Sequence, residues 1–186
     1  MTSPLHDAAS ELSSFCRGQR WRFCIIGGLA YLRWGDPRTT RDVDVTVLTG
    51  FGGEVDVART LLEQFRPRIA DPIDFATRNR VLLLSASNGI PLDVSFGALP
   101  FEERVMQRAS DFDFGGFSGP TCSAEDLVVM KVFAGRTRDW ADVEGIVAAQ
   151  GASLDVDLII DELTPLLELK EELASLERLR DLLVVE

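Results

Sequence analysis

Arg38-Thr-Thr-Arg-Asp-Val-Asp-Val45 is the stretch on which the reading of this chain turns. From Asp42 to Leu48 polar and apolar residues alternate, and Val43, Val45 and Val47 are β-branched. That pattern predicts a strand with one buried face. Asp42 and Asp44 then point to the same side, with Cα atoms roughly 6.5–7 Å apart. Carboxylates so placed repel one another unless a cation sits between them. Oxygen ligands suit Mg²⁺ or Mn²⁺, and Mg²⁺ commonly uses one or two carboxylates plus substrate phosphates. Alone, the pair reads as a solvated strand face. Its surroundings change that reading.

Upstream, the β-rich run Trp21–Ile26 ends at Gly27-Gly28, and Leu29–Trp34 looks helical. Glycines at a strand-to-helix turn let backbone N–H groups approach phosphate, aided by the helix N-terminus. Without such context a Gly-Gly pair is a tight turn. Downstream, Gly50–Gly53 is a turn and Val55–Phe65 has helical spacing. Two strand-like runs follow, Arg80–Ala86 and Pro91–Phe96, with the hairpin signal Ser87-Asn88-Gly89 between them. The second run carries Asp93 between apolar neighbours, a third candidate acid. Three acids converging from neighbouring strands can hold two metal ions, which stabilise the entering and leaving oxygens of a phosphoryl group.

The remaining chain is read as mostly helical. Helices are expected over residues 5–16 and 101–109, and a strand or hairpin over the Phe- and Gly-rich residues 111–118. Ser123-Ala-Glu-Asp126 resembles a capping box opening a helix to about Gly135, and another runs from about Arg138 to Ala149. Residues 155–184 read as two amphipathic helices, with the break expected at Pro165. The fold class is therefore α+β. A small mixed or antiparallel sheet flanked by helices occupies residues 1–120, and a C-terminal helical region, 121–186, packs on that core.

Composition narrows the function classes. The chain has 186 residues and 46% apolar content, ordinary for a globular protein. No apolar run approaches the ~20 residues needed to span a bilayer, and the N-terminus lacks a signal-peptide pattern, so a cytoplasmic location is expected. Cys16, Cys24 and Cys122 match no metal motif and read as reduced thiols, with Cys24 packed in an apolar run. His6 is the lone histidine and lies near the chain start, against an internal histidine base or a His-rich zinc site. The net charge of −11 argues against a broad electrostatic grip on nucleic acid. Residues 155–186 hold ten acids and three bases, so the remainder is closer to neutral and leaves room for a local basic surface. The phenylalanines from Phe96 to Phe117 read as core rather than a base-stacking platform, and Trp34 as a packing residue.

Together, Ile26-Gly27-Gly28, a spacer of thirteen residues, Asp42-Val43-Asp44-Val45 and the later Asp93 resemble the signature of the polymerase-β-like nucleotidyltransferase superfamily. A closer resemblance uses more of the chain. Gly27-Gly28-Leu-Ala30, Arg38-x-Thr40-x-Asp42-x-Asp44, Leu92-Asp93-Val94, and Asp126-Leu-Val-Val-Met-Lys131 followed by Ala134-x-Arg136-x-x-Asp139-x-x-Asp142 look like the AbiEii-type nucleotidyltransferases. These include toxins of toxin–antitoxin and phage-defence systems. The resemblance covers about residues 20–150 and leaves the acidic tail out.

The resemblance implies transfer of a nucleoside monophosphate from an NTP, with release of pyrophosphate. It implies Asp42, Asp44 and Asp93 as the catalytic and metal-holding residues, with Mg²⁺ or Mn²⁺ as cofactor. Asp93 would also take the acceptor proton. Gly27, Gly28, Arg38, Thr40, Lys131 and Arg136 would serve the nucleotide. Lys131 otherwise reads as a surface lysine. Arg136 and Asp139 are read equally as a structural ion pair, and Asp142 as a solvent-facing acid. The implied acceptor is a tRNA or a protein, and a cognate antitoxin is an implied partner. Two alternatives stand beside this: an antibiotic-type small-molecule adenylyltransferase, and a non-catalytic nucleotide-binding or regulatory member of the fold. The acidic C-terminal helices read as solvated faces ahead of an interaction surface.

Overall fold

A computed structural model describes residues 3–184. These residues form two compact units, each described in turn. The first takes the chain up to Leu29 and then Thr39–Cys122; the second takes Ala30–Arg38 and the chain from Ser123 onward.

The first unit opens with α1 (Pro4–Gly18). Ser3 caps it by accepting the His6 N–H at 3.2 Å, and Pro4 fills the first turn, where its missing donor is not needed. Ala8, Ala9, Leu12 and Cys16 line its buried face. The strands are β1 (Phe23–Ile26), β2 (Val43–Leu48), β3 (Arg66–Pro67), β4 (Val81–Ser85), β5 (Pro91–Gly97), β6 (Ser110–Asp113) and β7 (Ser118–Thr121). Among the described residues they form one sheet in the order β3-β4-β5-β2-β1-β7-β6. β2 pairs antiparallel with β1 but parallel with β5, and β1 pairs parallel with β7, so the sheet is mixed. The helices α2 (Gly27–Trp34), α3 (Glu54–Gln64), α4 (Pro72–Asn79) and α5 (Pro100–Arg108) fall between strands.

Alternation explains how the sheet holds. Val43, Val45 and Val47 of β2, Leu82 and Leu84 of β4, and Leu92, Val94 and Phe96 of β5 are all buried on one face. Burying each such side chain contributes about 1.5–3 kcal/mol. The β4–β5 hairpin forms at Ser87-Asn88-Gly89 as expected, with Gly89 at φ 84° and the Asn88 Oδ1 accepting the Ile90 N–H. The sequence reading did not contain β3 and α4. β3 has two residues, too few for any period. α4 is one short helix between two left-handed residues, Asp71 and Arg80. The expected strand or hairpin near 111–118 is the β6–β7 hairpin, where the Phe114 ring contacts those of Phe112 and Phe117.

The second unit is helical: part of α2, then α6 (Ala124–Ala134), α7 (Thr137–Gln150), α8 (Val156–Lys170) and α9 (Ala174–Val184). Ser123 caps α6 by accepting the Asp126 N–H at 3.1 Å, and Gly135 ends it in the left-handed region. α8 corrects one expectation, because it runs straight through Pro165. Pro165 and Asp161 are both exposed, so the carbonyl that the ring deprives of a partner faces water. The chain breaks instead at Glu171, which turns left-handed at φ 59°. Among the described residues, no helix is long and apolar enough to cross a membrane.

Candidate functional site

The β2 valines enter the core, so Asp44 faces the opposite side, as does Asp42 at the bend just before the strand. Pairing then sets the neighbours of Asp44. Across β1 its partner is Ile26, and across β5 its partner is Asp93. Residues paired in register share a face, so the Asp44 and Asp93 carboxylates are side by side. Asp42 is close enough to act on the same group. Burial pushes the Asp93 carboxyl above the usual range, Arg68 opposes that, and the Asp42 charge adds to it.

Ile26 leads directly into the Gly27-Gly28 turn that opens α2. The Gly28 N–H donates to the Asp44 Oδ2 at 3.4 Å. Gly27 has φ 62°, and a Cβ there would lie 2.6 Å from the Asp44 Cγ, an overlap no real side chain tolerates. Glycine is therefore required twice, by the backbone and by the carboxylate packed on it. Thr40 Oγ1 donates to the Asp42 Oδ1 at 3.0 Å and so fixes the other acid. The first unit thus gathers Gly27, Gly28, Thr40, Asp42, Asp44 and Asp93.

Sequence reasoning missed one charged member of this group. Arg68, just past β3, forms an ion pair with Asp93. The Arg68 N–H donates to the Leu83 carbonyl, and Leu83 pairs with Asp93. Arg68 thus reaches across one strand to the acid. No local motif announces this contact, which depends on the pairing of β3, β4 and β5.

The remaining expected residues lie in the second unit, Arg38 and Lys131 on Asp142 and Arg136 on Asp139. Arg38 donates to it through Nε and Nη2 at 2.6 and 2.7 Å, and the Lys131 ammonium donates at 2.5 Å. The Arg38 guanidinium also stacks over Tyr31 at 4.8 Å. Asp142 is 3% exposed, which corrects its reading as a solvent-facing acid; two cations make its burial tolerable. Burial alone would raise its carboxyl, but the hydrogen bonds from Arg38 and Lys131 hold it below the usual range. Lys131 is itself buried and also lies 3.6 Å from Asp139. Arg136 pairs with Asp139 at 2.6 Å through a side chain that is 78% exposed, while its backbone N–H caps α7 on the same carboxylate.

The donor set bears on metal binding. Among the described residues, no group of three or more His, Cys, Asp or Glu side chains is arranged to hold a metal ion. Asp42 and Asp44 are the matching pair, and two carboxylates completed by water and phosphate fit a Mg²⁺-type ion.

Solved structures share this fold. An antigenic nucleotidyltransferase-like protein from Paracoccidioides brasiliensis is similar at 17% identity, with a TM-score of 0.53 and coverage of 92% of this chain and 90% of that one. The antibiotic-resistance factor ANT(2")-Ia, in complex with adenylyl-2"-tobramycin, is similar at 13% identity, with a TM-score of 0.58 and coverage of 88% and 99%. The lincosamide antibiotic adenylyltransferase LnuA, lincomycin-bound, is similar at 11% identity, with a TM-score of 0.52 and coverage of 77% and 96%. No curated protein sequence matches the chain. Residues 17–184 match the family described as nucleotidyl transferase AbiEii toxin, type IV TA system. With nearly its whole length so matched, and with Asp44 set between a Gly-Gly turn and a second acid, the chain belongs to the AbiEii nucleotidyltransferase family.

Proposed function

We propose that this nucleotidyltransferase moves a nucleoside monophosphate from an NTP onto a hydroxyl of a tRNA or a protein, and that it depends on Mg²⁺ or Mn²⁺. The observation that carries the reading is the register of β2, which sets Asp44 against the Gly27-Gly28 turn on one side and Asp93 on the other. The acceptor oxygen attacks the α-phosphorus and forms the new P–O bond. The bond to the bridging oxygen of the β-phosphate breaks, and pyrophosphate leaves. The acceptor proton passes to the Asp93 carboxylate, whose raised affinity for a proton suits a general base. Asp42 and Asp44 hold the metal. A bound divalent ion would supply charge neutralisation at the transferred phosphoryl group. Backbone N–H groups at the start of α2 orient the triphosphate. Thr40 keeps the Asp42 carboxylate in position. Arg38, Lys131 and Arg136 enter as nucleotide-binding cations on the strength of the sequence run that carries them.

Membership of a type IV toxin–antitoxin family supports a cognate antitoxin as partner. A second reading, adenylyl transfer to a small hydroxyl compound, is favoured by the fold shared with LnuA and ANT(2")-Ia. One experiment separates the two. Each α-labelled NTP is incubated with the protein, Mg²⁺ and either total RNA, protein extract, or a panel of lincosamides and aminoglycosides. Label in RNA or protein supports the first reading. Label only in the small-molecule fraction replaces it with the second. No label in any fraction, together with no NTP binding by calorimetry, favours a non-catalytic member of the fold.

A further inference from the structure

The row of residues across the sheet at Asp44 shows an unexpected charge arrangement. Starting from Arg68, whose backbone is bonded to Leu83, the row continues through Leu83, Asp93, Asp44 and Ile26. Neighbouring strands are ~4.8 Å apart, so two strand spacings separate Arg68 from Asp93, a gap that the long Arg68 side chain and the Asp93 carboxylate close between them. It crosses Leu83, over which its methylenes can lie while the charged head reaches the acid. One guanidinium thus sits on the outermost of the three acids. Arg68 and Asp93 are each about one-third exposed, 31% and 32%, so the pair borders solvent at the open face of the sheet.

Carboxylates on one face of adjoining strands, Asp44 paired with Asp93 and Asp42 acting on Asp93, need compensating positive charge. A two-ion site would supply both charges as metal. Here one is already covalently part of the chain, on the acid farthest from the Gly27-Gly28 turn. The donor geometry agrees, since Asp42, Asp44 and Asp93 do not form a three-acid cage. We propose that Arg68 occupies the cation position at Asp93, so that the chain binds a single divalent ion, on Asp42 and Asp44, and Arg68 stands in for the second. Arg68 is then a positioning residue. It orients the Asp93 carboxylate and keeps a second ion out. This rests on the assignment of Asp42 and Asp44 as metal ligands.

Mn²⁺ titration tests the stoichiometry directly, with unbound aqueous Mn²⁺ followed by electron paramagnetic resonance and Asp44→Asn as the background for adventitious surface acids. Wild type is expected to saturate at one Mn²⁺ per chain above that background. Arg68→Met is expected to take two, and Arg68→Lys, which restores a cation, one. The double variant Arg68→Met/Asp93→Asn is expected to return to one, which locates the second ion at Asp93. Thermal melts of each variant check folding, and Arg68→Lys remains informative if Arg68→Met unfolds. Two ions in wild type or Arg68→Lys, or a single ion in folded Arg68→Met, would overturn the inference while leaving the metal assignment intact. No ion above background in wild type would overturn the metal assignment and the inference with it.

Discussion

Gly27→Ala should separate catalytic geometry from folding. Two effects combine at this position. First, φ is 62°, a region where a residue with a Cβ costs roughly 1–2 kcal/mol. Second, the new Cβ would lie 2.6 Å from the Asp44 Cγ and 2.7 Å from its Cβ, so the carboxylate must swing away and the Gly27 backbone must also draw back from β2. For a domain of this size, 1 kcal/mol lowers Tm by about 2–4 °C. The backbone effect therefore predicts a fall of about 2–8 °C. Starting from a typical stability of about 5–15 kcal/mol, the variant remains almost wholly folded at the assay temperature. Lost folding then cannot account for a large loss of rate. Displacing by about 1 Å the carboxylate proposed to hold the metal should cost on the order of 100-fold. Gly89→Ala is the matched control. Gly89 has φ 84° and nothing within 4 Å of the added atom, so it carries the backbone strain without the collision. Thermal melts and initial rates of labelled NMP transfer are measured on both. Both variants are expected to remain folded, with the larger melting shift in Gly27→Ala because it adds the collision to the strain, and with the rate loss confined to Gly27→Ala. Equal rates in the two variants would refute the claim that Asp44 depends on the absence of a side chain at position 27.

The other consequences concern the buried charges and thiols. Asp142→Asn leaves Arg38 and Lys131 without their shared anion, and chemical denaturation should show a loss of about 3–5 kcal/mol. Because the folded state holds the Asp142 carboxyl below its ordinary value, its stabilisation is fully present above the unfolded pKa of about 3.9. It is lost as pH falls through the lower folded value. Wild type should therefore lose part of its stability over that acid range, and Asp142→Asn should show a correspondingly flatter limb in denaturation measured against pH. Burial pushes the Cys16 thiol up to about 12, and Cys24 and Cys122 are buried too. Ellman's reagent at pH 8 should leave the folded chain unreacted at these positions and modify them once denaturant is added; rapid reaction of the folded protein would contradict their burial.

Much of the fold was legible where a local rule and the tertiary environment agree. The valine alternation of β2 identified both the strand and its open acids. The Ser123 cap and the Ser87-Asn88-Gly89 hairpin were legible because each is satisfied by atoms within a few residues. What escaped depends on distant partners. Asp142 looks like a surface acid until Arg38, 104 residues away, and Lys131 close over it. Arg68 gains its place only when β3, β4 and β5 pair, and β3 is too short to recognise alone. Pro165 misled because its expected break assumed that a carbonyl deprived of its helical partner cannot be satisfied, whereas on an exposed helix face water can do so.

The central claim is that Asp44, seated between the Gly27-Gly28 turn and Asp93, holds the metal through which nucleotide is transferred. Its most direct test is the rate of label transfer from α-labelled NTP in Mg²⁺, with Asp44→Asn compared to wild type and melting recorded for both. The account predicts a rate lower by on the order of 100-fold or more, with little change in melting. Transfer by Asp44→Asn at the wild-type rate would contradict it.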